Sequence, residues 1–200
     1  MIGAVIGLAV GLTVSAGSTA VQSVADVVEG SGSGAMATSS QVVTYDVGTR
    51  GEVQGSLAEF EALVEETLND ERGWMRAHVR FEKVSSNAMM HVILAAPAEV
   101  EAAAPGGCSA ELSCRVGSLV LINDDRWMEG SESYNALGLA IEDYRQMVIN
   151  HEVGHFLGHD HIMACGTQSG LAPVMLQQST GLRGCLPNKW PLPNELWVHL

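Results

Sequence analysis

The stretch HEVGHFLGHDH, residues 151–161, concentrates groups that can bind a metal ion, because it holds four of the chain's seven histidines and one glutamate. His151 and His155 are four residues apart, so on a helix their rings lie one turn apart on the same face, with Cβ atoms about 5–6 Å from each other. Two imidazoles at that spacing can bind one zinc ion at Zn–N distances of about 2.0–2.1 Å. Glu152 is offset from the ligand face, which predicts that it activates a metal-bound water as a general base.

A third protein ligand is expected after Gly158, because glycine tolerates the left-handed conformation and commonly ends helices. A sharp turn there would return the chain to the metal. His159 follows the turn immediately and has little chain with which to reach back, whereas His161 is three residues beyond Gly158. We therefore predict His151, His155 and His161 as the ligands of one catalytic zinc ion, and His159 as a flanking residue near the cleft.

Two other interpretations of the cluster are a set of structural histidines on a surface helix and a zinc site without catalysis. The pattern H-E-x-x-H-x-x-G-x-x-H fixes five positions, which makes a chance match rare. Glu152 argues against a purely structural zinc site, because such a site has no use for a base. Structural sites also usually close the fourth coordination position with Cys or His.

The elements that position this cluster follow from hydrophobic periodicity. Alternating or β-rich stretches predict strands, and a capping box formed by Ser56 and Glu59 opens a helix whose apolar residues share one face. The predicted order is a strand at 41–48, a helix at 56–70, strands at 77–84, 89–97 and 115–123, and a long helix at about 134–155 that carries the cluster. This order predicts an α+β fold, a mixed twisted sheet with helices packed on it and an irregular C-terminal part.

The N-terminal part indicates export. Residues 1–25 carry no charged side chain, and residues 2–14 have the length of the apolar region of a signal peptide. The first basic residue is Arg50, so an uncleaved membrane anchor and a helix buried in the domain are the alternatives. A Gly- and Ser-rich linker is predicted at 26–41 and the metal-binding domain at 42–200. We expect a protein that is secreted or anchored to the outer face of the membrane by residues 1–25.

The four cysteines agree with an oxidising compartment, since an even count is expected of disulfides. We predict the pairs Cys108–Cys114 and Cys165–Cys185, because each closes a local loop. The alternatives are free buried thiols and a second metal site, although the spacings match no common zinc pattern.

The charge of the chain limits its partners. The formal net charge of -13 disfavours contact with phosphate backbones, so nucleic acid is not expected as a partner. We expect a monomer that meets the membrane only through its N-terminal segment. Asp124 and Asp125 follow a predicted strand and could bind calcium, but the capping of a turn is the favoured interpretation.

The cluster resembles the zinc signature of the metzincin metallopeptidases. Metzincins have a methionine-bearing turn beneath the metal, and Met175, in the segment APVM at 172–175, is the candidate here. Over roughly residues 42–192 the chain is also similar to a family of exported actinobacterial metzincin-like proteins, in the segments INDDRW (122–127), YRQMVINHEVGHFLGH (144–159), PVMLQQSTGL (173–182) and CLPNKWP (185–191). The resemblance implies a metzincin-like fold and a zinc site. Gln177 occupies the position where some metzincins have a tyrosine that binds metal or stabilises the oxyanion.

These features predict a zinc-dependent endopeptidase in which a zinc-bound water attacks the scissile carbonyl while Glu152 takes its proton. The expected partner is a peptide or protein substrate. By analogy with the clan, strand 89–97 is expected to offer its edge to that substrate, and residues after Met175 to wall the specificity pocket. The alternatives are a catalytically inactive, zinc-stabilised extracellular binding module and a membrane-anchored structural protein with a vestigial site. The intact Glu152 argues against both.

Overall fold

The computed structural model describes residues 40–166 and 170–200. The predicted signal peptide or anchor at 1–25 lies outside the described residues, and so does the predicted linker apart from residues 40 and 41. All of the described residues belong to one compact unit, Ala37–Leu200. No helix among them has both the length and the hydrophobicity needed to cross a bilayer.

The described chain alternates strands and helices before it becomes irregular. In chain order the elements are β1 (Gln41–Arg50), α1 (Leu57–Leu68), a 3₁₀ turn (Trp74–Ala77), β2 (Val79–Lys83), β3 (Met90–Ala95), α2 (Pro97–Ala103), β4 (Cys114–Val116), β5 (Leu119–Asn123), α3 (Asp124–Glu129), α4 (Glu132–Asn135), α5 (Ile141–Phe156) and a final 3₁₀ turn (Pro193–Glu195). Half of the predicted capping box is present at the start of α1, because the Ser56 hydroxyl accepts a hydrogen bond from the backbone N–H of Glu59. Among the described residues, the Glu59 side chain makes no return bond to the backbone N–H of Ser56.

The five strands form one sheet in the order β2-β1-β3-β5-β4. β1 pairs in parallel with β2 and β3, β3 pairs in parallel with β5, and β4 is antiparallel to β5. The predicted mixed sheet with helices packed on it is confirmed. The prediction that strand 89–97 offers a free edge is wrong, because β3 lies between β1 and β5. The sheet edge that contacts α5 is β4.

Two predicted elements are divided by glycines with positive φ. The predicted strand at 115–123 is the β4–β5 hairpin, which turns at Gly117, where φ is 58°. The predicted helix at 134–155 is also interrupted, because α4 ends at Asn135 and Gly138 has a φ of 66°. The long helix therefore starts later than predicted, at Ile141. Glycine reaches these left-handed conformations without the steric cost that a Cβ would bring.

The sequence did not predict the short helices α2 and α3, and α3 explains the acidic pair after β5. Asp124 is buried, and its carboxylate accepts backbone N–H bonds from Gln54 at 2.6 Å and Gly55 at 3.0 Å. Asp125 is exposed in the first turn of α3, where an acidic side chain complements the helix dipole. Asp124 therefore caps backbone N–H groups of the loop before α1, whereas the N-cap of α3 itself is Asn123. Among the described residues, the groups that could hold a metal do not include Asp124 or Asp125.

The main core lies on the face of the sheet that packs against α1 and α5. Helix α1 contributes Phe60 and Val64, helix α5 contributes Ile149 and Val153, and all four side chains are fully buried. A smaller apolar cluster between α2 and β5 contains Ala95, Val100, Cys108 and Leu121. Helix α5 is thus fixed by burial on one side, which leaves its C-terminal turns to face a cleft beside β4.

Candidate metal centre

The C-terminal half of α5 carries His151, Glu152 and His155, and the helix ends immediately after them at Phe156. Gly158 then reverses the chain with a φ of 100°. A Cβ at this position would lie 2.8 Å from the backbone oxygen of His199, so both the conformation and the close approach of the C-terminal segment require glycine. The predicted turn at Gly158 is therefore present in the structure, and it returns His161 to the end of the helix.

The three predicted ligands come together at this point. One nitrogen atom from each of His151, His155 and His161 lies within 4.8 Å of the others. The Nε2 atoms of His155 and His161 are 3.1 Å apart. A tetrahedral zinc with Zn–N bonds of about 2.0–2.1 Å places its ligand nitrogens about 3.3 Å from each other. The separation of His155 and His161 is close to that value, so the cluster could hold a metal ion. His159, the fourth histidine, is not part of it.

Hydrogen bonds orient two of the three rings. The Nδ1–H of His151 donates to the backbone oxygen of Val174 at 2.7 Å, and the Nδ1–H of His155 donates to that of His159 at 2.7 Å. Because a carbonyl only accepts, each Nδ1 carries the proton and each Nε2 keeps a free lone pair. Backbone partners of this kind fix both the tautomer and the direction of a metal-binding imidazole.

Burial keeps the histidines neutral. It lowers the pKa of His151 to about 3, with a further contribution from His155. Partial burial likewise lowers the pKa of His155 below the usual value, and it does the same for His161, although that residue is the most exposed of the three. A metal binds the neutral imidazole, so these shifts favour binding over protonation at neutral pH. The donor set therefore fits a borderline-soft divalent cation such as zinc.

Glu152 is buried beside the ligands, with a side chain that lines the same cleft. Among the described residues its carboxylate accepts no hydrogen bond. Burial raises its pKa to about 8, although the positive charge of Arg115 acts in the opposite direction. A carboxyl group with a pKa this close to neutrality can exchange a proton with a reacting group, which is the requirement for general acid–base catalysis.

The cleft has a volume of about 490 Å³ and lies between α5, the edge strand β4 and the loop before β4. Arg115, on β4, reaches across it, and its Nε and Nη2 donate to the backbone oxygen of His155 at 3.0 Å and 2.5 Å. These bonds satisfy a carbonyl in the last turn of α5 and connect the edge strand to the helix that carries two of the candidate ligands. No sequence pattern indicated this contact.

Met175 lies directly beneath the helix between the two ligand histidines. It is fully buried, and a Cβ at Gly154 would overlap its Sδ and come within 2.8 Å of the indole of Trp74. Gly154 therefore provides the space in which the turn at Val174 and Met175 approaches α5. The same turn presents the Val174 oxygen that orients His151.

Glu195 fastens this turn, a role that no sequence pattern indicated. The fully buried carboxylate accepts backbone N–H bonds from Leu192 at 2.7 Å, Met175 at 2.8 Å and Val174 at 3.1 Å. Burial raises the pKa of Glu195, and the three hydrogen bonds act in the opposite direction. The carboxylate thus joins the final 3₁₀ turn to the backbone on either side of the Val174 carbonyl.

His159 has a structural environment. Its ring is 3% exposed, contacts the rings of Trp74 and Trp197 at centroid distances of 4.8 Å and 3.9 Å, and donates from Nε2 to the Trp197 oxygen at 2.9 Å. The residue borders the cleft, as predicted, but its ring faces away from the ligand cluster into this packing. Its backbone oxygen is the acceptor for His155.

Both predicted disulfides are present, Cys108–Cys114 and Cys165–Cys185. The first closes the loop that leads into β4 and borders the cleft, and the second closes part of the chain around Met175. Disulfides of this kind persist in extracellular or otherwise oxidising compartments. Neither pair is available as a metal ligand.

A comparison with protein families gives one match. The family described as "Protein of unknown function (DUF3152)" covers residues 9–192 of the chain, so the chain belongs to that family. None of the curated proteins matches it.

Proposed function

We propose that this member of the DUF3152 family is an exported, zinc-dependent endopeptidase of the metzincin type. The observation that carries the proposal is the joint placement of three histidine nitrogens within 4.8 Å of one another and a buried glutamate with a raised pKa in the same cleft. The turn of Met175 beneath α5 supports the metzincin assignment, because it lies where that clan has its methionine.

His151, His155 and His161 would hold the zinc ion, which when bound would supply a Lewis acid for the attacking water and the scissile carbonyl and would lower the pKa of the neighbouring Glu152. Glu152 takes a proton from the attacking water as the new carbon–oxygen bond forms. The protonated Glu152 then gives that proton to the amide nitrogen as the carbon–nitrogen bond breaks, and the products are a carboxylate and an amine. Arg115 holds the end of α5 in place throughout.

The edge strand β4 is the element we propose for positioning the peptide. It is the terminal strand of the sheet beside the cleft, and among the described residues it pairs only with β5. An extended peptide added to this edge would form main-chain hydrogen bonds that do not depend on its sequence. This assignment replaces β3, which is fully paired.

The test is cleavage of a protein substrate and a broad peptide library by the purified full chain, with and without a chelator. Alongside it, Glu152→Ala removes the base, and Glu142→Ala changes an exposed glutamate on the same helix as a matched control. We expect cleavage by the wild type and by Glu142→Ala, loss with chelator or Glu152→Ala, and one zinc ion per chain. Stoichiometric zinc without any cleavage would instead support a zinc-stabilised binding module.

A further inference from the structure

The metal cleft continues past Glu152 into two further cavities. Next to the main cleft of about 490 Å³ lies a small cavity of about 30 Å³, and beyond it a third of about 570 Å³. The small cavity shares Glu152 and Gln177 with the main cleft, and Ser179 and Thr180 with the third. Leu112 borders all three. The three cavities therefore form one groove with a constriction beside the catalytic glutamate.

The side chains that line the constriction on its core side are held in place by packing and hydrogen bonds. Met147 and Val148, on the core side, are 1% and 3% exposed. Gln178 is fully buried, and its side chain accepts from the Tyr134 hydroxyl at 3.0 Å and donates to the Asn188 oxygen at 2.7 Å. Close-packed and hydrogen-bonded walls of this kind do not open without a cost in free energy.

Leu112 forms the remaining wall, and its position is also fixed. It lies within the loop that the Cys108–Cys114 disulfide closes, and the next residue, Ser113, accepts a hydrogen bond from the backbone N–H of Asn123 at 3.0 Å. The side chain itself is half-buried. Leu112 is therefore the one apolar wall that can be shortened without opening the main core.

The volume of the constriction limits what can enter it. A cavity holds one water molecule when it offers about 10–15 Å³ to the water probe, so a volume of about 30 Å³ has room for about two or three water-sized groups. A methyl or hydroxymethyl group fits within it, whereas an isobutyl or an aromatic side chain exceeds it. The hydroxyl-bearing residues Ser179 and Thr180 border the cavity, which also suits a small polar group.

We propose that Leu112 determines substrate specificity, because it narrows the groove beside Glu152. The enzyme would then select peptide bonds flanked by a small residue, glycine, alanine or serine, at the position whose side chain enters this constriction. This inference rests on the proposed peptidase function. Size exclusion by a fixed apolar wall is a mechanism that discriminates by about 10–200-fold for each methylene group.

The test compares the zinc-loaded full chain with Leu112→Ala on peptides that differ only in the residues flanking the cleaved bond. At one flanking position the wild type is expected to prefer alanine over leucine by at least about 10-fold in kcat/KM. Leu112→Ala is expected to reduce that preference several-fold, mainly by improving the leucine substrate. Leu186→Ala, a change at a leucine that is 60% exposed, is the matched control.

A binding measurement separates this inference from the function itself. Short peptide hydroxamates with a methyl or an isobutyl side chain next to the chelating group report the same size limit without turnover. We expect tighter binding of the methyl compound, and a smaller difference in Leu112→Ala. If zinc binds and the inhibitors follow this pattern but no peptide is cleaved, the peptidase function is refuted, and the size limit set by Leu112 is supported. Equal or stronger binding of the isobutyl compound, or an unchanged ratio in Leu112→Ala, would overturn the role of Leu112.

Discussion

The candidate metal centre contains two buried glutamates, Glu152 and Glu195, in two differently built regions of the chain. Glu152 belongs to helix α5 and faces the cleft, where among the described residues its carboxylate accepts no hydrogen bond. Glu195 belongs to the irregular segment 170–200 and accepts three backbone N–H bonds. Burial raises the pKa of both. Among the described residues the first carboxylate has no hydrogen-bond partner, as the proposed base requires, whereas the second is saturated and can only hold structure.

The same difference extends to the regions around them. Helix α5 satisfies its backbone internally, so its side chains are free to act as ligands and base. The segment 170–200 has little regular structure, and its backbone is satisfied by buried side chains, notably Glu195, Gln178 and Asn188. Changes at the cleft-facing residues of α5 should therefore remove the proposed chemistry without altering the fold, and changes in the segment should shift the position of the candidate ligands or lower the stability.

The largest expected effect is on the reactive glutamate. Glu152→Gln keeps the shape of the side chain but removes the base, so we expect kcat to fall by about 10²–10⁴-fold with zinc content unchanged. Glu142→Gln on the same helix should leave kcat unaffected. Steady-state kinetics with parallel metal analysis measures both. A residual rate near that of the wild type would mean that Glu152 is not the base.

The second prediction distinguishes His161, the proposed ligand, from His159, whose environment is structural, by their effects on zinc binding and stability. His161→Ala removes a predicted ligand and should weaken zinc binding by more than the roughly 10–100-fold that changes to partners of ligands cost. His159→Ala should keep stoichiometric zinc, but it deletes a buried ring between two tryptophans and should lower the free energy of unfolding by about 2–5 kcal/mol. Competition with a chelator and thermal unfolding measure the two quantities. The reverse pattern in zinc affinity would make His159 the third ligand.

The site residues on α5 could be predicted from the sequence, because their relative positions depend only on residues that are close together in the chain. The spacing of His151, Glu152 and His155 is set by helical geometry, and Gly158 is the residue type that a left-handed turn demands. His161 follows from that turn. The disulfide pairs and the presence of a mixed sheet were predictable for a similar reason, since short loops and alternating strands are visible in the chain itself.

The segment 170–200 could not be predicted in the same way. Glu195 is 20 residues from Met175 and has the appearance of an ordinary surface glutamate in the sequence, yet it is fully buried. Strand order is equally non-local, which is why the free edge was assigned to β3 instead of β4. Leu112 shows the same limit, because only the folded groove reveals that it borders three cavities.

The third effect concerns the metal-free protein. A carboxyl group whose pKa is raised from 4.5 to about 8 holds more protons in the folded state than in the unfolded one, so stability falls as pH rises from about 4.5 to about 8. The loss is up to about 1.4 kcal/mol per pH unit. Glu152→Gln removes this titration, so we expect the variant to gain stability over the wild type as pH rises from 5 to 8.

Thermal unfolding of chelator-treated wild type and Glu152→Gln across that pH range tests the prediction. In a chain of this size, each kcal/mol of stability changes the melting temperature by about 2–4 °C. The histidines titrate in both proteins, so the difference between the two isolates Glu152. A difference in melting temperature that stays constant with pH would show that the unpartnered carboxylate carries no raised pKa.

The smallest expected effect concerns Glu195, whose carboxylate accepts three backbone hydrogen bonds. Glu195→Gln keeps one acceptor oxygen, but it points an NH₂ group at backbone N–H groups that need an acceptor. The turn that carries the Val174 oxygen should then shift, and with it the hydrogen bond that orients His151. We expect zinc affinity to fall by about 10-fold, the lower end for a residue that supports a ligand through another group. Asn194→Ala, an exposed neighbour on the same 3₁₀ turn, is the control.

A purely structural role for Glu195 would lower stability alone, so the decisive readout is the NMR signal of the His151 Nδ1–H. In the structure this proton is held by the Val174 oxygen at a nitrogen–oxygen distance of 2.7 Å, and in the zinc-loaded wild type we expect it to resist exchange with water. In Glu195→Gln it should exchange faster and change its chemical shift, while the corresponding proton of His155, whose acceptor is His159, should not. If both protons change equally, or neither does, the segment supports the fold without orienting the ligand.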